Sequence, residues 1–295
     1  MTSNKLIWLR HQVYKHVVGS ALPLSWFGPE PPPVTALHVP EAPLHLQIVS
    51  HCWQYAHMLN FQLSSLVNYP PTALSVTYTL FHAAEDNDLK QLIHRFDKIS
   101  IPGITWDWVE VPKQTLFRRA IGRNQAALDS SADWLWFSDC DLIFHNDCLN
   151  SLARVLQGKK TRMVFPDSEY ITDLLPPDHP MLNQPRHKTV DIDTRLFSQN
   201  DIKKAKGAFQ IVHGDVARTC GYCRDMRLYQ QPVAHWSKTY EDSLFRKLIR
   251  SEGCPVTISG LHRVRHLEKG RYTKGSGLSS VRQNIRAATD ERGPS

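Results

Sequence analysis

The chain lacks any run approaching the roughly 18 consecutive apolar residues that a membrane helix needs, and Met1 to Arg10 holds no apolar stretch of the signal-peptide kind. Those two absences set the expectation of a cytoplasmic protein with no transmembrane segment. Cysteine is sparse: six residues, Cys52, Cys140, Cys148, Cys220, Cys223 and Cys254. Cys220-Gly221-Tyr222-Cys223 is the one C-x-x-C pair, and without a second pair at matching spacing a structural zinc site is disfavoured. Reduced, buried thiols are expected instead. Internal repeats are missing, and so is a glycine-rich, Arg/Lys-bearing phosphate loop near residues 46 to 60, where the sequence reads His51-Cys52-Trp53-Gln54.

What is present is an ordinary globular composition, 41% apolar and 21% charged over 295 residues, which excludes extensive disorder. The formal charge of +7 suits an anionic partner such as a nucleoside diphosphate, an anionic glycan, a membrane surface or a nucleic acid. Basic residues thicken late, at Arg263, Arg265, Lys269, Arg271, Lys274, Arg282 and Arg286. Residues 1–44 end in a proline-rich stretch and read as an N-terminal extension. Residues 45–270 read as one compact domain, and 271–295 as a basic, flexible tail.

Within that domain, apolar runs of strand type alternate with helical periodicity. Strands are expected at Leu46–Ser50, Leu74–Phe81, Ile104–Val111 and Asp133–Ser138. Helices are expected at Tyr55–Val67, Asp86–Phe96 and Thr115–Leu128, the last with Thr115 as N-cap. Alternation of this kind implies βαβ units and a mostly parallel sheet flanked by helices. Trp106, Trp108, Trp134 and Trp136 alternate within strands and read as core. Residues 166–205 hold five prolines and little periodicity, which suggests a binding loop or lid. Order returns at Gly207–Val212, followed by helices from Asp215 and from Glu241 to Arg250.

Asp139-Cys140-Asp141 closes the apolar run Trp134 to Ser138, at the carboxyl end of a strand where α/β sheets bind ligands. Two carboxylates two residues apart converge naturally on a hard cation, Mn²⁺ or Mg²⁺, that completes its shell with phosphate oxygens and water. Such a cation would neutralise charge on a departing diphosphate. Asp139 and Asp141 are the expected metal ligands. The Glu241-Asp242 pair at a helix start is placed for general-base work, since the helix dipole holds a carboxylate ionised there.

Five segments in order, spanning roughly residues 46 to 268, resemble the family 2 glycosyltransferases and their GT-A fold. They are His51 to Tyr55 before a helix, Ala84 to Asp88, Gly122-Arg123-Asn124-Gln125-Ala126-Ala127, the D-x-D, and Tyr240 to Gly253. The resemblance implies a metal-dependent transfer of a sugar from a nucleotide-sugar, most commonly a UDP-sugar, to an acceptor hydroxyl with inversion. It implies that Asp242 is the base, with Glu241 orienting the acceptor or its neighbours. Asp86 faces the nucleobase, Arg123 and Asn124 touch the nucleotide, and Asp139 also meets the ribose. His266 becomes a third metal ligand or a phosphate contact, and Arg263 a diphosphate clamp. Gly207 and Trp236 line the acceptor side. The acceptor is expected to be a glycan, a lipid-linked molecule at a membrane surface or another hydroxyl compound. Nucleic acid is allowed by charge but not favoured, because aromatic-basic interleaving is lacking. Two alternatives stay open: a sugar nucleotidyltransferase, which the missing phosphate loop opposes, and a non-catalytic carbohydrate- or nucleotide-binding module on the same fold.

Overall fold

The structure is a computed structural model that describes residues 22–185, 187–236 and 239–267. β1 (Leu44–His51) leads into α1 (Ala56–Asn68), β2 (Leu74–His82) into α2 (Asn87–Asp97), and β3 (Ile104–Glu110) into two short helices. These are α3 (Lys113–Leu116) and α4 (Arg119–Asp129), which feed β4 (Trp134–Phe137). The expected single helix from Thr115 is therefore two, and Thr115 lies inside the first. Arg118 breaks it by taking φ −107°, ψ 80°. Neither proline nor glycine marks this break. Phe117 turns its ring edge-on to Trp53 while Arg118 goes into the interior, so packing overrides helix propensity.

Beyond the acidic turn come β5 (Leu142–Phe144), α5 (Cys148–Leu156), β6 (Met163–Pro166), β7 (Ser168–Thr172) and β8 (Phe197–Asp201). The chain continues through β9 (Gln210–His213), α6 (Gly214–Cys220), α7 (Glu241–Leu248), β10 (Cys254–Val256) and β11 (Leu261–Arg263). Seven strands form one sheet in the order β10-β6-β9-β4-β1-β2-β3, parallel except for β9, which runs against both neighbours. The result is a mixed α/β protein with a largely parallel central sheet. A second sheet, β5-β11-β7-β8, gathers four short strands beside the acidic turn.

Parallel strands buried on both faces read as unbroken apolar runs, and Trp134-Leu135-Trp136-Phe137 is wholly buried. α1 and α2 pack on one face, where Gln62 of α1 binds Ser50, Ser138 and Tyr78 beneath it. α4 lies on the other face, and Gly122 permits its approach, since a Cβ there would sit 2.4 Å from His51 Nε2. Beyond α4 this face is open at β2 and β3, leaving a cavity of about 220 Å³ lined in part by Gln47, Thr79, Asp107 and Asp129.

The described part of the proline-rich extension docks on the domain. His38 N–H donates to Asp215 Oδ2 (2.8 Å), Arg162 Nε donates to the Pro32 carbonyl (3.1 Å), and Arg250 pairs with Glu30 (2.5 Å). The tail at 271–295 lies outside the described residues. The segment 166–205 is not one irregular loop. It contains the antiparallel β7–β8 pair, and Asn60, Ser64 and Asn68 of α1 bind the backbone between Pro185 and Val190. Among the described residues no helix is long and apolar enough to cross a membrane.

Candidate active site

β4 ends at Phe137, and the turn that follows exposes Asp139 (side chain 21% accessible) while burying Asp141. Gln62 of α1 fixes this turn by donating to the Asp139 carbonyl (3.0 Å). Arg119, in the first turn of α4, forms an ion pair with Asp139 and places its Nε 3.8 Å from Glu241 Oε1. One guanidinium thus bridges the acidic turn to the start of α7. Burial pulls the Arg119 guanidinium down, but Asp139, Glu241, Tyr222 and Asp242 together hold it above its ordinary value.

Arg123, one helical turn along, is entirely buried. It donates to the Gly207 carbonyl (2.8 Å) and the Tyr222 hydroxyl (2.9 Å), and its Nη2 lies 3.9 Å from Asp139. The residue expected at the nucleotide is therefore a brace beneath the turn. Asn124 is a brace as well: its Oδ1 accepts from Tyr222 N–H (2.9 Å), next to Gly221 at φ +60°. Asp86 is buried and caps α2 through Leu89 N–H (3.2 Å), while its other oxygen takes Gln54 N–H (2.5 Å). It ties the turns after β1 and β2 together.

Asp242 sits in the first turn of α7 beside Gly207, whose Cβ position would lie 3.8 Å from Asp242 Oδ2 and 3.9 Å from Arg123 Nη1. Gln210 of β9 donates to the Asp242 backbone carbonyl (3.0 Å), anchoring the helix start. Glu241 is buried, with its carbonyl accepting from the Cys223 thiol (3.5 Å). Trp236 is half-buried at the end of a segment that Val233 N–H pins to the Gln114 carbonyl (3.0 Å).

Arg263 of β11 grips Glu169 of β7 through two nitrogens at 2.8 and 2.5 Å. Burial opposes its charge, but Glu169, with Asp141 and Asp139 adding to it, raises the guanidinium above its usual value. His266 is not drawn into a cage with the aspartates. Its ring hydrogen-bonds the Tyr55 hydroxyl and stacks on that ring, with His57 edge-on at 6.1 Å. Among the described residues no group of three or more His, Cys, Asp and Glu side chains could hold a metal. Any cation here depends on Asp139, Asp141 and oxygens brought by a ligand.

Cys220 and Cys223 are buried, and burial pushes the Cys220 thiol up to about 11, so neither acts as a thiolate near neutral pH. The sequence admits Arg118 and Arg119 either as diphosphate clamps or as residues on a wet helix face, and the structure buries the first and pairs the second with Asp139 and Glu241. Two cations at a helix N-terminus run against the macrodipole, and that conflict is the local sign of a partner elsewhere.

No family profile matches the chain, and no curated protein matches it by sequence. Among solved structures it is similar to the mannosyltransferase PcManGT from Pyrobaculum calidifontis, in complex with GDP-Man and Mn²⁺. That likeness has 13% identity and a TM-score of 0.41, and covers 99% of this chain and 73% of the other. It is also similar to S. aureus TarS 1–349, at 12% identity and a TM-score of 0.40, covering 85% and 66%. At such identities neither similarity assigns a role to any residue.

Proposed function

We propose that this chain is a metal-dependent glycosyltransferase of GT-A type. It moves a sugar from a nucleotide-sugar, with UDP-sugars the first candidates, to an acceptor hydroxyl with inversion. The observation that supports this most is the Arg119 bridge, which joins Asp139, just past the carboxyl end of β4, to Glu241 at the start of α7. The donor set at the acidic turn is two carboxylates, one of them partly exposed, which suits Mn²⁺ or Mg²⁺ completed by phosphate oxygens. When bound, the cation supplies charge neutralisation for the leaving diphosphate.

The chain's own residues carry the rest of the reading. Asp139 and Asp141 hold the cation's carboxylate side, and Arg263 presents a guanidinium fixed by Glu169 to the diphosphate. Asp86, Arg123 and Asn124 shape the nucleotide's bed by holding the turns around it. Asp242 receives the proton of the acceptor hydroxyl as that oxygen attacks the anomeric carbon. Its place at the start of α7 favours the ionised form. Glu241, steadied by Arg119, fixes the helix start, while Gly207 leaves room beside Asp242 and Trp236 closes the acceptor side. Residues 45–270 constitute the transferase domain, with 1–44 and 271–295 as extension and tail.

Thermal denaturation against a panel of UDP- and GDP-sugars tests the donor half. A true donor raises the melting temperature with Mn²⁺ and fails to do so with EDTA, because a ligand that binds only the native state stabilises it, by about 2.7 kcal/mol at 100 Kd. Equal shifts with Mn²⁺ and EDTA, or none with any donor, contradict the reading. NMR of the product tests the chemistry: retained anomeric configuration removes the base role from Asp242.

A further inference from the structure

Arg118 differs from Arg119, Arg123 and Arg263 in making no ion pair within 4 Å among the described residues. It is only 3% accessible, yet among the described residues its Nε and Nη1 have no hydrogen-bond partner. Burial lowers its guanidinium from the ordinary value, with Glu241 acting in the opposite direction. A desolvated guanidinium with open donors destabilises a protein, and a structure gains from it where a ligand's anion completes the pair.

The position tells which ligand. Arg119 feels Asp139, Glu241, Tyr222 and Asp242, and Arg263 feels Glu169, Asp141 and Asp139. Arg118 answers to Glu241, and to neither aspartate of the acidic turn. The acidic turn is therefore already faced by two other arginines. Arg118 stands at the N-cap of α4, four residues after Gln114, whose carbonyl accepts from Val233 N–H. Glu241, whose charge acts on Arg118, opens α7 immediately before Asp242.

We propose that Arg118 is an oxyanion subsite on the acceptor side of the cleft, so that the acceptor carries a phosphate or carboxylate group near the hydroxyl that receives the sugar. The word acceptor rests on the transferase reading, but the anion site does not. The fixed, desolvated guanidinium strengthens a charge-assisted hydrogen bond and discriminates against neutral acceptors.

Inorganic phosphate is the probe. Melting curves of the full chain are recorded over a phosphate series at constant ionic strength, alone and with UDP and Mn²⁺ at saturation. Phosphate should raise the melting temperature in both conditions, which places its site outside the donor's. Arg118→Met should bind phosphate about 10-fold more weakly or worse, the loss of one charge-assisted hydrogen bond. Without ligand that variant should melt above the wild type, since a buried charge has gone. Arg118→Lys should keep part of the phosphate effect.

Absence of phosphate stabilisation overturns the proposal. So does its disappearance once UDP and Mn²⁺ are added, because the anion would then be the donor's. An Arg118→Met protein that melts below the wild type makes the residue a structural one and also overturns it. A wild type that binds no nucleotide sinks the transferase reading alone, and Arg118-dependent phosphate binding then still establishes the anion site.

Discussion

The two sides of the cleft are built on opposite electrostatic plans. On the acidic-turn side the three arginines are partnered: Arg119 with Asp139, Arg263 with Glu169, and Arg123 with Gly207, Tyr222 and Asp139. On the α7 side Glu241 is buried at 3.8 Å from a shared arginine, and Arg118 keeps open donors. Matched charges hold a shape before any ligand arrives, so the first side reads as pre-formed. Unmatched ones store an unfavourable desolvation that a ligand relieves, so the second side is completed by what it binds.

The sharpest way to separate the sides is Asp242→Asn. The change is nearly isosteric, and loss of a general base typically lowers rate by about 10²- to 10⁴-fold. Transfer measured by product chromatography should fall by that much, while calorimetry shows nucleotide affinity unchanged. Full activity in the variant would take the chemistry away from α7.

Next in size is a stability contrast on the matched side. Arg123→Ala strips partners from Tyr222, Gly207 and Asp139 at a fully buried position. Urea unfolding should show a loss of roughly 3–5 kcal/mol, as for a broken buried pair. A loss below 1 kcal/mol, on the order of an exposed pair, would make the matched side no more rigid than the other. Smaller still, Asp141→Asn should weaken Mn²⁺-dependent nucleotide binding about 10-fold, since it takes charge from the cation's shell. An unchanged affinity would move the cation elsewhere.

The smallest effect is a slope with pH. His45, His82, His145, His213 and His262 all have pKa values lowered by burial from the usual 6.5. Between each folded value and 6.5 the unfolded chain binds more protons, so stability rises with pH there and falls on acidification. Because His145 sits 3.7 Å from Asp191 and beside His262, the small sheet should report this first, as early amide exchange near Val190. Acid-enhanced protection there would reverse the argument.

Much of the large sheet could be read from residue order. β1, α1, β2, α2 and β3 follow local periodicity, and Asp86 caps α2 where an acidic turn was expected. The small sheet could not be read that way. β5 and β11 have three residues each and pair across a long stretch of sequence, and β7 finds β8 only after the proline-rich segment. Strands that short carry no usable alternation, and their partners are chosen by tertiary packing. At the site, Asp139, Asp141, Glu241 and Asp242 stood out because carboxylates at strand ends and helix starts have local signatures. The bridging role of Arg119 did not, because its meaning lies in two carboxylates that are remote in sequence. Neither did the brace role of Arg123, which depends on the Gly207 carbonyl before β9 and the Tyr222 hydroxyl just past α6.

Sharing one guanidinium between Asp139 and Glu241 makes the cleft a thermodynamic balance. A cation that takes Asp139 must compete with Arg119, and as it succeeds the guanidinium's field shifts towards Glu241. Linkage makes the exchange reciprocal: an acceptor that engages Glu241 must change cation affinity at Asp139 by the same factor by which the cation changes acceptor affinity. Substrates that never touch each other through the bridge would still sense one another's arrival, and the order of their addition would be written into a single side chain.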